Sequence, residues 1–233
     1  MVYMGSKRRI AKYILSIILK NRKEGQYFVD IFCGGCNLID KVNGNRIAND
    51  NNPYLIALFR EIVNNGISLS KVDKETYYKV KANKYAYPEW YVGHVGFNCS
   101  SMGKWFESFV CDEWITKSEI RNYQTEHINN LLSQVESLHD VSFFSCDYRE
   151  LTIPPCSIIY CDPPYKNTIG YRQKFDHDAF WQWCRDMAKQ GHSVFISEYE
   201  APEDFTCIWE MEIKDTLSHS ITKLKKERLF VVN

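Results

Sequence analysis

The tetrapeptide Asp-Pro-Pro-Tyr at residues 162–165 directly follows the apolar run Ile158–Cys161, and it constrains the fold more than any other feature. A run of β-branched and aromatic residues that stops at two prolines predicts a buried strand ending in a rigid turn, because proline fixes φ and lacks an N–H. In open α/β sheets, ligands bind at the carboxyl ends of the strands. The Asp162 carboxylate and the Tyr165 ring are therefore predicted to lie where a ligand binds.

The chemistry of this turn favours a particular kind of ligand. Carbonyl oxygens and the Asp162 carboxylate are hydrogen-bond acceptors, and the aromatic ring of Tyr165 offers a flat surface beside them. Acceptors next to an aromatic face suit a planar ring that bears an amino group. The simpler alternative is a strand-ending turn in which Asp162 caps the following segment, and the tetrapeptide alone does not decide between the two.

A second strand pattern, at residues 27–32, runs into the Cys-Gly-Gly-Cys turn at residues 33–36. A glycine turn after a first strand lets the backbone approach a ligand closely. The next short strand, at residues 46–50, ends in Asp50, which lies 20 residues after Asp30. In nucleoside-binding α/β folds, an acid at the end of the second strand accepts hydrogen bonds from ribose hydroxyls. The two features together predict a nucleoside cofactor.

Five segments, taken in order, resemble the motifs of Dam-type DNA adenine methyltransferases. They are residues 3–7 (Tyr-Met-Gly-Ser-Lys), 30–35 (Asp-Ile-Phe-Cys-Gly-Gly), 48–50 (Ala-Asn-Asp), 143–148 (Phe-Phe-Ser-Cys-Asp-Tyr) and 162–165. The resemblance extends over nearly the whole chain, although it assigns no motif within residues 55–137. It implies an enzyme that uses S-adenosylmethionine as its cofactor and methylates the exocyclic amine of adenine in double-stranded DNA.

The resemblance also implies roles for individual residues. The catalytic residues are Asp162, Pro163, Pro164 and Tyr165. Among them, Asp162 and the Pro163 carbonyl would accept the hydrogens of the amine while Tyr165 stacks on the base. The cofactor-binding residues are Tyr3, Lys7, Asp30, Phe32, Gly34, Asp50, Asp147, Tyr148 and Asp162. An adenine inside a duplex cannot reach such a pocket, so base flipping is implied.

Strand and helix patterns alternate along most of the chain, which predicts an α/β fold with a doubly wound, mostly parallel sheet. The resemblance implies the Rossmann-like methyltransferase version of this fold. Residues 1–54 and 138–233 are predicted to form the catalytic domain that binds S-adenosylmethionine. Residues 55–137 are predicted to form a small, mostly helical inserted domain, to which the resemblance assigns recognition of the DNA target.

Local patterns also predict the elements of the catalytic domain. An amphipathic first helix is expected over residues 10–19 and a helix over 178–190 that stops at Gly191. Strands are expected at residues 141–146, 157–161 and 193–197, with a late antiparallel pair at 207–211 and 229–232. Within the insertion, helices are expected over residues 55–64 and 118–138.

The charge balance bears on DNA binding. The chain has 29 basic and 29 acidic side chains, so its formal net charge is zero, whereas duplex-DNA binders usually show a basic excess. Binding therefore requires clustered positive charge, and we predict that Lys79, Lys81 and Lys84 contact DNA. A second basic cluster lies at residues 223–226. The alternative for each cluster is an ordinary solvated surface.

The nine cysteines are scattered and show no disulfide framework, which favours a reduced, cytoplasmic protein. No apolar stretch is long enough to span a membrane. Cys33 and Cys36 have Cys-x-x-Cys spacing, but a second pair is missing, so no metal site is predicted. The pair Pro155-Cys156 resembles the thiolate nucleophile of carbon-5 cytosine methyltransferases. It precedes the strand at 158–161 instead of following it, which argues against that enzyme class.

Other functions compatible with these motifs are methylation of a different planar amine, such as cytosine N4, RNA adenine or a protein glutamine. The chain could also be a non-catalytic DNA-binding relic, although the intact motifs argue against this. A partner restriction endonuclease would fit the same family. Asp at position 162 and the order of the motifs favour DNA adenine.

Overall fold

The computed structural model describes residues 1–111, 113–115, 120–165, 175–214 and 224–232. The strands in chain order are β1 (Phe28–Asp30), β2 (Arg46–Asn49), β3 (Trp114–Ile115), β4 (Ile120–Arg121), β5 (Val141–Phe144), β6 (Ile158–Cys161), β7 (Ser193–Glu198), β8 (Phe205–Lys214) and β9 (Leu224–Val232). The helices are α1 (Ala11–Ile18), α2 (Pro53–Asn65), α3 (Lys74–Ala82), α4 (Glu89–Asn98), α5 (Tyr123–Leu132), α6 (Val135–Leu138) and α7 (His177–Lys189). None of the described helices is both long and apolar enough to cross a bilayer.

Seven strands form one sheet in the order β5-β2-β1-β6-β7-β9-β8. The pairings from β5 through β7 are parallel, and β9 runs antiparallel to both β7 and β8. The predicted α/β class, the mostly parallel sheet and the late antiparallel pair at its edge are all confirmed. The late strands are longer than predicted, because charged residues extend β8 and β9 beyond their apolar runs.

Residues along the central strands alternate between two cores, one on each face of the sheet. Phe28 and Ile158 pack into the core on one face, whereas Val29 and Ile159 pack into the core on the other. Helices α1 and α2 cover the first face, and α7 covers the second. Burial on both faces explains why these strands are continuously apolar.

The ends of α2 and α7 are set by capping chemistry. The Asn52 side chain accepts hydrogen bonds from the N–H groups of Tyr54 and Leu55, and α2 stops at Gly66, whose φ is +60°. The Asp176 carboxylate caps α7 by accepting from the Ala179 N–H at 3.0 Å. The helices predicted at 55–64 and 178–190 are confirmed to within a few residues.

The predicted insertion has a small core of its own, built around Val72, Tyr77, Val80, Val92, Val95, Cys99 and Phe106. Helix α2 instead packs on the main sheet, where the Phe59 ring stacks on Phe143 at 5.6 Å. The domain boundaries remain a prediction, but this packing associates α2 with the catalytic part. The helix expected over 118–138 is two helices, α5 and α6, and Ser118 lies outside the described residues. The short β3–β4 pair was not predicted.

Candidate active site

Three carboxylates gather where β1, β2 and β6 end. Asp30 is the last residue of β1, while Asp50 and Asp162 follow β2 and β6 directly. The parallel register places Asp30 beside Ala48 and Tyr160, so the three strand ends lie level. Burial raises the pKa of Asp30 well above its ordinary value, and the charges of Asp162 and Asp50 raise it further. The Asp30 Oδ1 atom is buried and has no hydrogen-bond partner among the described residues.

The glycine turn after β1 is attached to the acid that follows β2. The Gly34 N–H donates to Asp50 Oδ2 at 3.1 Å, and the Asn52 N–H donates to Asp50 Oδ1 at 2.9 Å. Gly34 has a φ of +46°, a conformation that side chains rarely adopt. Burial raises the pKa of Asp50, and these two N–H groups oppose the shift. Each carboxylate oxygen has a second lone pair, so Asp50 can still accept from a ligand hydroxyl.

Asn49, at the end of β2, holds the same edge together, although the sequence analysis gave it no role. Its amide donates to the carbonyls of Ile31 and Cys146 at 3.2 and 3.1 Å, and its oxygen accepts from the Cys146 N–H at 3.2 Å. These bonds join the ends of β1, β2 and β5. Asn49 thereby positions the backbone around Asp50.

Tyr3 lies across the glycine turn, near the rest of the predicted cofactor set. A Cβ atom added at Gly34 would come within 2.6 Å of the Tyr3 ring. The centroids of the Tyr3 and Phe97 rings are 5.6 Å apart. The turn must therefore contain glycine for two reasons, its backbone conformation and its contact with Tyr3.

Lys7 binds the acid of the 162–165 motif. Its Nζ lies 2.9 Å from Asp162 Oδ1 and 3.7 Å from Glu227 Oε2, with only 9% of the Lys7 side chain exposed. Burial by itself would lower the pKa of Lys7, but the charges of Asp162 and Glu227 raise it above the ordinary value. Burial raises the pKa of Asp162, against the opposing effect of Lys7. The structure places this ammonium on Asp162, and contact of Lys7 with a cofactor remains a prediction.

Tyr165 is held by two residues that the sequence analysis missed. Its hydroxyl donates to Glu227 Oε2 at 3.0 Å. The Tyr199 ring meets it edge-on at 4.5 Å between centroids, and Lys7 Nζ lies 4.6 Å from its ring centre. Glu227 occurs in a run of charged residues before an apolar strand, so it had the pattern of a solvated segment. Tyr199, just after β7, carried no motif.

The remaining predicted cofactor residues follow strands β1 and β5. The Phe32 ring contacts Tyr148 at 5.5 Å and Phe175 at 5.8 Å, in an aromatic cluster beneath the sheet edge. Burial raises the pKa of Tyr148 to about 12. The Asp147 carboxylate forms two 2.7 Å hydrogen bonds with Arg149, which lower its pKa. Contact of Asp147 and Tyr148 with a cofactor remains a prediction.

The three lysines predicted to contact DNA all have partners within the protein. Lys79 pairs with Glu75 at 2.6 Å on an exposed face of α3. Lys81 Nζ donates to the Phe106 carbonyl at 2.6 Å, and Lys84 Nζ donates to the Lys81 carbonyl at 2.9 Å. Lys81 and Lys84 therefore support the fold of the insertion. Lys79 can leave its exposed partner Glu75 more readily than the other two lysines can leave theirs. Their contact with DNA remains a prediction.

The cysteines do not join the site as nucleophiles. Cys156 precedes β6, so the six residue steps from it to Asp162 span on the order of 20 Å of extended chain. It is exposed at the opposite edge of the sheet, where its carbonyl accepts from Gln26. Cys33 and Cys36 are buried free thiols within the glycine turn. The geometry thus excludes Cys156 from the chemistry of the 162–165 turn.

Comparison with known protein families gives a match over most of the chain. A family model described as D12 class N6 adenine-specific DNA methyltransferase matches residues 3–223. Solved structures overlap with the chain only loosely. A protein described as a candidate RNA methyltransferase from Pyrococcus horikoshii has a TM-score of 0.45 and 11% identity, over 98% of this chain and 84% of its own. A conserved hypothetical protein from Streptococcus pyogenes has a TM-score of 0.41 and 8% identity, over 96% and 95%. These overlaps are too loose to support an assignment.

Proposed function

The chain belongs to the D12 class of N6 adenine-specific DNA methyltransferases, and we propose from this membership that it methylates N6 of an adenine flipped out of duplex DNA. Its cofactor is S-adenosylmethionine. The observation that best supports the proposal is the half-buried Asp162 carboxylate beside the Tyr165 ring, at the sheet edge that also carries the glycine turn. An acceptor next to an aromatic ring is what a planar ring with an amino group requires.

The residues at this edge fit the cofactor. Asp30 presents a buried acceptor oxygen without a partner among the described residues, beside two further carboxylates. A cofactor with an amino group and a positively charged sulfur compensates such a concentration of negative charge. We propose that Asp30, Gly34 and Asp50 hold it, with Asp50 accepting from the ribose. When bound, S-adenosylmethionine supplies a methyl group that is electrophilic because it is attached to that sulfur.

The protein's task in the reaction is to prepare the amine. The nitrogen lone pair of an adenine amine is delocalised into the ring, which makes it a weak nucleophile. Hydrogen bonds from the amine to Asp162 and to the Pro163 carbonyl favour a pyramidal nitrogen whose lone pair is available. As the nitrogen bonds to the methyl carbon, the bond between that carbon and the cofactor's sulfur would break, and the proton released from the nitrogen would pass by way of Asp162 to solvent. No covalent bond to the protein is needed, so much of the rate comes from positioning.

We propose that the Tyr165 ring holds the flipped base by stacking. Base–aromatic stacking is worth about 1–3 kcal/mol per base in single-strand binders. The Tyr165 ring is fixed by contacts with Lys7, Tyr199 and Glu227. It therefore loses little conformational entropy when a base stacks on it. The same contacts keep the ring next to the Asp162 carboxylate.

The function is tested by following a labelled methyl group from S-adenosylmethionine into genomic DNA that lacks N6-methyladenine. We expect label in N6-methyladenine after digestion to nucleosides, at sites that share one sequence. RNA and DNA substrates are compared in parallel. Label in N4-methylcytosine, in RNA alone, or in neither nucleic acid would contradict the proposal. The methylated sequence would also identify the site that any partner restriction endonuclease must recognise.

A polar groove beside the active site is a suitable place for the DNA backbone. It is a cavity of about 230 Å³ lined by Tyr199, Glu200, Lys225, Lys226 and Arg228. Tyr199 connects the groove to the catalytic turn, because its ring touches Tyr165. Lys226 and Arg228 share Glu210 at 3.1 and 3.4 Å, so part of their charge is balanced. We propose that phosphates next to the flipped base contact this groove.

The salt dependence of DNA binding tests both candidate surfaces. We expect Lys225→Ala, in the groove, and Lys79→Glu, on α3, each to flatten the slope of log K against log salt by about 0.9 per lost phosphate contact. Lys189→Ala, at the exposed end of α7, is the control and should leave the slope unchanged. A normal slope for Lys225→Ala removes the groove from the DNA path. A normal slope for Lys79→Glu would mean that the lysines of α3 form an ordinary solvated surface.

A further inference from the structure

Glu227 is a buried acid on β9, close to the catalytic turn. Its side chain is only 8% exposed. Burying a carboxylate is costly unless its oxygens are paired. Its Oε2 atom accepts from the Tyr165 hydroxyl at 3.0 Å and lies 3.7 Å from Lys7 Nζ. Both partners belong to the active site, so Glu227 is directed at the site rather than at the sheet.

Lys7 is shared between two acids, and only one of them is proposed to meet the base. Its Nζ is 2.9 Å from Asp162 and 3.7 Å from Glu227. Rotation of Asp162 toward the base amine would lengthen the contact between its Oδ1 atom and Lys7. A buried ammonium that lost its only acid partner would be strongly disfavoured. Glu227 provides a second acid at short range, so Lys7 can shift without losing its counter-ion.

Glu227 also fixes the ring proposed to stack on the base. Rotation of the Tyr165 ring would break the hydrogen bond between its hydroxyl and Glu227. The edge-on contact with Tyr199 at 4.5 Å restricts the ring from a second direction. One carboxylate thus touches both the stacking residue and the partner of the catalytic acid.

We propose that Glu227 is a positioning residue for methyl transfer, which holds the Tyr165 ring and takes over Lys7 when Asp162 turns to the base amine. This inference rests on the proposed function. It assigns the hydroxyl of Tyr165 a role beyond stacking, because the hydroxyl orients the ring through Glu227. Tyr165→Phe should therefore be clearly impaired, although a role in stacking alone would make that change mild.

The test compares Glu227→Gln, Tyr165→Phe and the double variant. Glutamine keeps the size and an acceptor oxygen of Glu227 but loses the charge, and a charge-assisted hydrogen bond is about twice as strong as a neutral one. We expect Glu227→Gln to slow single-turnover methyl transfer by at least about tenfold, a loss that corresponds to 1.36 kcal/mol of barrier. Affinity for S-adenosylhomocysteine should stay near normal. Base flipping is monitored by the fluorescence of 2-aminopurine at the target position. The flipped fraction should fall in Tyr165→Phe and should fall no further in the double variant.

Glu212→Gln is the matched control, because Glu212 is an exposed acid on the neighbouring strand β8 and should behave as wild type. A wild-type rate and normal flipping in Glu227→Gln would overturn the inference while leaving the proposed function intact. The inference would also be overturned if the variants had a lower melting temperature but a normal rate of methyl transfer per folded molecule. If the wild-type protein methylates no adenine, the proposed function fails. In that case the free energies of unfolding of Glu227→Gln, Tyr165→Phe and the double variant decide whether Glu227 holds the Tyr165 ring. Additive effects of the two substitutions would overturn this contact.

Discussion

Asp162→Asn is expected to slow the methyl-transfer step by on the order of a hundredfold or more, since each 1.36 kcal/mol of barrier is a factor of ten. Asparagine keeps one acceptor oxygen but loses the charge and adds a donor. A hydrogen bond to the base amine is then weaker in the transition state, where the nitrogen becomes positive. The change also removes the closer acid partner of Lys7 and leaves Glu227 as the remaining one.

Single-turnover rates at saturating cofactor are the right measurement, because they separate the chemical step from cofactor binding. Asp204→Asn is a suitable control, since it also breaks an ion pair with a basic residue, Arg185 at 2.5 Å, but on the surface. The control should turn over normally. Near-normal turnover of Asp162→Asn would mean that this carboxylate only caps the turn.

Asp50→Ala should weaken binding of S-adenosylmethionine by roughly ten- to a hundredfold, because losing a charged acceptor to a ligand hydroxyl costs about 1.5–3 kcal/mol. The structure adds a second contribution to this loss. Asp50 also accepts from the Gly34 and Asn52 N–H groups, so its removal loosens the glycine turn as well. Both effects reduce affinity, and the fold should persist because the carboxylate lies at the sheet edge.

Calorimetric titration with S-adenosylmethionine measures this loss. Asn52→Ala is the matched control, because Asn52 caps α2 without bonding to the glycine turn through its side chain. It should cost about 1 kcal/mol of stability, as cap removal typically does, with little change in affinity. Unchanged affinity in Asp50→Ala would remove this acid from the cofactor site.

Elements determined by neighbouring residues were predictable from the sequence. The strand before Asp162 and the turn through Pro163 and Pro164 follow from apolar β-branched residues and from the chemistry of proline. The carboxyl ends of α2 and α7 follow from the glycine that comes after each helix. The carboxyl-edge positions of Asp50 and Asp162 also followed, because each acid lies at the end of a predicted strand and parallel strands end at one edge. Asp30 lay inside the strand predicted at residues 27–32, and the structure ends β1 at this residue.

Pairings between distant residues were decided only by the tertiary structure. The Lys7–Asp162 ion pair and the Tyr165–Glu227 hydrogen bond join segments that are far apart in the chain. The lysines of α3 looked like a basic patch, but Lys81 bonds to a backbone carbonyl of the folded insertion. The charged run around Glu227 indicated a solvated segment, whereas β9 places Glu227 against Lys7 and Tyr165. A side chain's local pattern indicates whether it can be buried, whereas its partners depend on which strands the sheet brings side by side.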